Sequence, residues 1–180
     1  MQEAMVAKHA AAEEEACDAC PFADRIEPHL HLGEIRALES LARSHPSVQA
    51  QWCVVSVVEE SVLRRVALPA CVSGHLILHA RDEPDTVLSG HFERAHRFIQ
   101  KAHEQDKKVL VHCLAGISRS ATIMAAHLIL EHGIDDGEAL LRIRRKRARI
   151  APNQGFRGQL RHLAQSTLQE PVPPFATLDR

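Results

Sequence analysis

Apolar and polar positions follow clear periods along most of the chain, and the sharpest block runs from Lys108 to Leu130. Val109, Leu110 and Val111 form a continuous apolar run after two lysines, which predicts a short strand buried on both faces of a sheet. From Ser120 to Leu130 only Ser120, Thr122 and His127 are polar, so a helix there is apolar nearly all round and central in the fold. It is too short to span a membrane.

Upstream, Ile26, Leu30 and Leu32 are broken by Pro28, which predicts an edge strand ending at Gly33, since proline cannot donate to a ladder. Ile35, Leu38, Leu41 and Ala42 recur at helical spacing between Glu34 and Arg43. Trp52 to Val58 has the β-branched density of a core strand, whereas Leu63 to Cys71, with Pro69, fits either a short helix or a strand with a turn. Leu76-Ile77-Leu78 reads as the next strand and Ala80 to Asp85 as the polar loop at its end. Phe92 to Glu104 sets Phe92, Ala95, Phe98, Ile99 and Ala102 on one helical face, with His96 and His103 expected to face water. A stripe of Ala139, Leu140 and Ile143 predicts a helix between Ile134 and Arg147, and Phe156, Leu160 and Leu163 mark a last one beyond Pro152. Strands that alternate with helices until helices close the chain predict an α/β fold with a mainly parallel central sheet flanked by helices.

Length fits one domain with tails: a flexible segment over 1–24, a folded unit over 25–168 and a proline-rich tail over 169–180. A net charge of -1 gives no global field for nucleic acid or membrane, so no nucleic-acid partner is expected. Five cysteines, an odd number, and no apolar signal run at the N-terminus favour a reducing interior, the cytoplasm or the nucleus. No lipid anchor is expected, because residue 2 is Gln and the C-terminal residues include no cysteine. Cys17-Asp18-Ala19-Cys20 has metal-ligand spacing but no second pair follows, so it reads as incidental, and neither a metal nor a cofactor is expected.

Between the apolar runs lies His112-Cys113-Leu114-Ala115-Gly116-Ile117-Ser118-Arg119-Ser120. A loop that leaves a strand and opens a helix brings consecutive amides, here of Leu114, Ala115, Gly116, Ile117 and Ser118, to one anion, and the helix dipole adds to them. Gly116 lets the backbone turn, and Arg119 offers a planar fork for two phosphate oxygens. The same donors favour Cys113 as a thiolate nucleophile, able to attack phosphorus and form a phosphocysteine. The leaving oxygen needs a proton, and on chemistry alone Asp82, Glu83 and Asp85 are all candidate donors from the loop after Leu76 to Leu78.

His112-Cys113-x-x-Gly116-x-x-Arg119-Ser120 resembles the signature of cysteine-dependent protein phosphatases, and Ala115 to Ala121 resembles their dual-specificity branch. Pro28 to Gly33, Asp82 with Phe92 ten residues later, and Ala151-Pro152-Asn153-x-x-Phe156-x-x-Gln159-Leu160 resemble that family's opening strand, acid loop and closing segment. The resemblance covers about residues 25–165. It implies a protein tyrosine phosphatase-like fold of the small atypical, stand-alone dual-specificity type. It implies Cys113 as nucleophile, Arg119 as phosphate ligand and Asp82 as general acid and then base. Ser120 would assist breakdown of the phosphocysteine, His112 would tune the thiolate, and Asn153 would hold the loop. Pro28-His29-Leu30-His31-Leu32 departs from the family's usual Gly-Leu-Tyr-Leu, and the chain has no tyrosine.

The basic run Arg142, Arg144, Arg145, Lys146, Arg147 and Arg149 fits a solvated helix face, or else Arg147 lies near the pocket and meets a second phosphate or an acidic side chain of the substrate. The uncharged loop positions Leu114, Ala115 and Ile117 favour phosphoprotein substrates over highly anionic inositol phosphates. The function expected is hydrolysis of phosphotyrosine and phosphoserine or phosphothreonine. Alternatives are a phosphoprotein-binding adaptor that uses the loop without turnover, and a phosphatase for non-protein esters.

Overall fold

The structure, a computed structural model, describes residue 20 and residues 22–44, 52–63 and 68–169. The Ala- and Glu-rich lead-in with Cys17, the Arg64-Arg65 stretch and the tail from Pro171 lie outside them. Five strands form one sheet: β1 (Ala23–Glu27), β2 (Leu30–Gly33), β3 (Trp52–Val57), β4 (Val72–Leu78) and β5 (Lys108–His112). Their spatial order is β1-β2-β5-β3-β4, parallel throughout except for the antiparallel β1–β2 pair. The helices are α1 (Ile35–Ser44), a short α2 (Glu60–Leu63), α3 (Phe92–Glu104), α4 (Arg119–His132), α5 (Asp136–Lys146) and α6 (Gln154–Gln169).

The opening strand differs from its expectation. Ile26 to Leu32 is a hairpin rather than one edge strand, because Pro28 and His29 occupy the two-residue turn, with His29 in the left-handed region at φ 62°. Proline first and a left-handed residue second is the pattern of a type II turn. β1 takes the edge, and β2, buried at all four residues, sits inside the sheet against β5. Ordered structure therefore begins ahead of residue 25. Cys20 is buried and Asp24 lies in β1, so these last residues of the span expected to be flexible belong to the fold.

The two faces of β5 divide the interior. Val109 and Val111 face a large core built with α3, α4, α5 and α6, whereas Leu110 faces a smaller one with Ala37, Leu38, Leu41, Trp52, Cys20 and Cys71. α4 is buried from Arg119 through Ile129, which explains why its sequence lacks a polar face. Gly133, left-handed at φ 60°, ends it with its amide on the Ile129 carbonyl. His31 packs on Trp52 with ring centroids 5.0 Å apart, an aromatic contact made without tyrosine. His96 and His103 are not water-facing as expected; both are half-buried beside His127 of α4. Among the described residues no helix is long and apolar enough to cross a membrane.

Candidate active site

The β5–α4 junction is the organising feature. β5 has a strand on each side, so its carboxyl end is fixed, and the chain turns there through Cys113 to Ser118 before α4 starts at Arg119. Gly116 makes the turn at φ 67°. A Cβ at that position would stand 2.6 Å from the Gly33 carbonyl oxygen, so the residue is fixed by backbone conformation and by space.

Two donors converge on the cysteine: the Gly116 amide at 3.2 Å and the Ser120 hydroxyl at 3.1 Å from Sγ. Cys113 is 1% exposed, at the floor of a loop whose rim residues Leu114 and Ala115 are exposed. Among the described residues, the amides of Leu114, Ala115, Ile117 and Ser118 make no backbone hydrogen bond, which leaves them for an anion. Arg119, itself buried, donates to the Ala80 carbonyl through Nη1, while its Nε is buried without a hydrogen-bond partner 3.7 Å from Asp82 Oδ2.

Of the three carboxylates open on chemistry alone, Asp82 is the one at the loop. Its Oδ1 accepts from Ser118 Oγ at 2.6 Å and from Asn153 Nδ2 at 3.0 Å. Glu83 pairs instead with Arg81, and Asp85 is exposed. β4, which precedes Asp82, is separated from β5 by β3, so the loop that carries Asp82 reaches across a strand rather than from next door. Asn153 ties three pieces together: its side chain reaches Asp82, its amide donates to Ser118 Oγ, and its Oδ1 caps α6 at the Phe156 amide.

His112 contacts the main chain of Cys113, not its sulfur. Nδ1 lies 3.4 Å from the Cys113 carbonyl oxygen, and Nε2 is 2.6 Å from Ser56 Oγ, which also bonds His75. Burial pushes the imidazole down to about 4, against the bond to the Cys113 carbonyl and with help from His75, so His112 is neutral at neutral pH.

Arg147 corrects an expectation. Its guanidinium is 5% exposed, donates through Nε to the Gly116 carbonyl at 2.9 Å and pairs with Asp24 through Nη1. The side chain is committed behind the loop, bracing it against β1, and cannot meet a second phosphate in solvent. Elsewhere in the basic run Arg144, Arg145, Lys146 and Arg149 are exposed and match the solvated reading, while Arg142 is half-buried and pairs with Glu138.

Two residues of α6 were not singled out as site residues and support the loop that carries Asp82. Gln159 Oε1 accepts from the Leu88 and Ser89 amides, and its Nε2 donates to the Thr86 carbonyl, all within 2.8 Å. Gly155 lies against Pro84 so closely that a Cβ there would stand 1.8 Å from the Pro84 carbonyl oxygen. Gly155→Ala is therefore expected to push the Asp82 loop outward, which lowers an activity that depends on Asp82 by up to about 10²-fold, the scale of a 1 Å misplacement. A substrate whose leaving oxygen needs a proton should lose more than p-nitrophenyl phosphate, whose leaving group needs little protonation; equal losses would show that the loop had not moved.

Residues 65–166 match the family model described as "Dual specificity phosphatase, catalytic domain". The chain is 35% identical over 147 residues to dual specificity protein phosphatase 26 of Bos taurus, covering 79% of this chain and 67% of that one. It is 34% identical over 141 residues to dual specificity protein phosphatase 1 of Arabidopsis thaliana, covering 78% and 68%. The crystal structure of human DUSP28 superposes with a TM-score of 0.69 at 27% identity, covering 82% of this chain and 96% of that one. With the family model matching more than half of its length and these relatives matching most of it, the chain belongs to the dual-specificity phosphatase family.

Proposed function

We propose that this protein hydrolyses phosphotyrosine and phosphoserine or phosphothreonine in protein substrates through a phosphocysteine on Cys113. The observation that carries the reading is the convergence of the Gly116 amide and the Ser120 hydroxyl on Cys113 Sγ, with Arg119 and Asp82 beside the same loop. Sγ attacks phosphorus as the bond to the substrate oxygen breaks, and that oxygen leaves with its electron pair and takes the proton held by Asp82. The loop amides and Arg119 hold the three equatorial oxygens, most tightly in the transition state. Asp82, now a carboxylate, then takes a proton from water as that water attacks phosphorus. The phosphorus–sulfur bond breaks, and the Ser120 hydroxyl donates to the departing sulfur. His112 and Asn153 act as positioning residues, one through the Cys113 carbonyl and the other through Asp82 and Ser118.

A panel of a phosphotyrosine peptide, a phosphothreonine peptide, a phosphoinositide and a 5′-phosphorylated RNA tests the substrate class. Both peptides should turn over fastest; turnover confined to the lipid or the RNA would refute a protein substrate. The same reading places the protein in the cytoplasm or nucleus, supported by free thiols at Cys20, Cys53, Cys71 and Cys113. Recovery of the endogenous protein only from an oxidising compartment would contradict it.

A further inference from the structure

Away from the loop, α3 and α4 bring together side chains that lie far apart in sequence. His96 of α3 faces His127 and Glu131 of α4, which stand one helical turn apart on the same face. One ligand atom from each residue lies within 4.8 Å of the others. The two Nδ1 atoms of His96 and His127 are 3.0 Å apart, and the rings are tilted at 44° with centroids 5.0 Å apart. Counting 1.5 Å of rise per residue from Arg119, His127 and Glu131 lie roughly 12 to 18 Å along α4 from the helix start, where the phosphate loop ends.

From these contacts we infer a divalent transition-metal site, of the zinc class, formed by His96, His127 and Glu131 at the α3–α4 seam. Two imidazole nitrogens and a carboxylate oxygen, with water completing four positions, are a ligand set suited to Zn²⁺. Zn–N bonds of about 2.0–2.1 Å put two tetrahedral nitrogens roughly 3.3 Å apart, so the histidine pair needs to open by only a few tenths of an ångström.

The surroundings point the same way. Helix seams are ordinarily filled with apolar side chains, yet here His127, 1% exposed, has imidazoles on two sides, and His103 Nε2 is buried with no hydrogen-bond partner. Only one proton can lie between the two Nδ1 atoms, so the arrangement forces unlike tautomers on them in the absence of a cation. Gln100 Nε2 donates to Glu131 at 3.1 Å, the kind of outer contact that orients a ligating carboxylate. A cation held here would clamp α3 to the central helix and stabilise the fold without touching the reacting atoms.

The test is calorimetric titration of tag-free, EDTA-treated full-length protein with Zn²⁺, together with Co²⁺ absorption spectra. One equivalent should bind and raise the melting temperature, and Co²⁺ should give ligand-field bands without sulfur charge-transfer absorption. Glu131→Ala and His96→Ala should each weaken binding at least tenfold, while Cys113→Ser leaves it unchanged. The Glu131 side chain is 37% exposed and alanine favours a helix, so that variant keeps a fold whose melting in EDTA can be compared with the parent. No uptake, uptake that survives both substitutions, or uptake lost only with Cys113→Ser would overturn the site.

Discussion

Cys113→Ser is expected to abolish turnover of p-nitrophenyl phosphate and of phosphopeptides, by about 10⁴-fold or more, the scale on which enzymes lose activity when the covalent nucleophile is removed. The substitution changes little else. The serine oxygen can accept from the Gly116 amide and the Ser120 hydroxyl, and Arg119 keeps its anchor on the Ala80 carbonyl. What it loses is the sulfur nucleophile, and a serine oxygen in its place attacks phosphorus far less readily. Affinity for phosphopeptide should therefore stay within a few fold of the parent protein. This pairing of lost turnover with retained binding separates the enzyme from an adaptor that merely holds phosphate. Equal turnover in the parent and Cys113→Ser proteins would remove the sulfur from the mechanism.

Asp82→Asn is expected to reduce turnover by about 10² to 10⁴-fold on phosphothreonine peptides, the range that a positioned general acid contributes. Aryl esters should lose much less, because a phenolate with electron-withdrawing groups departs without a proton. The isosteric amide keeps an oxygen that can accept from the Ser118 hydroxyl at the present 2.6 Å position, so the loop is not expected to collapse. Glu83→Gln and Asp85→Asn serve as controls, since Glu83 pairs with Arg81 and Asp85 is exposed. A uniform loss across leaving groups would assign Asp82 to loop support alone.

The reacting loop was legible in the sequence because its information is local. The apolar strand, the glycine at the turn, the arginine at the helix start and the all-apolar helix lie within 23 consecutive residues. Strand and helix periods carried most of the sheet for the same reason. The hairpin was missed because Pro28 argues equally for an edge strand and for a turn; the difference lies in the left-handed His29 and in the pairing of β2 with β5.

Arg147 was misplaced for a different reason. A basic residue at a helix end reads as solvated, and its partner Asp24 is 123 residues away in a segment expected to be flexible. Gly155 and Gln159 gain their importance only when α6 packs under the acid loop, more than 60 residues earlier in sequence. The histidine cluster shows the same limit. His96 and His127 have no motif spacing, and a helix-face count sends His96 and His103 to water, whereas the α3–α4 seam joins all three.

In this mechanism phosphorus passes through Cys113 Sγ. Ser120→Ala should slow breakdown of the intermediate, because it removes the hydroxyl that now donates to Sγ at 3.1 Å. Rapid acid quench of that variant during turnover of a phosphotyrosine peptide, followed by peptide mass analysis, tests the claim most directly. A phosphoryl group is expected on the peptide that contains Cys113. Turnover that continues with no phosphorylated cysteine, or with the label on another residue, would contradict it.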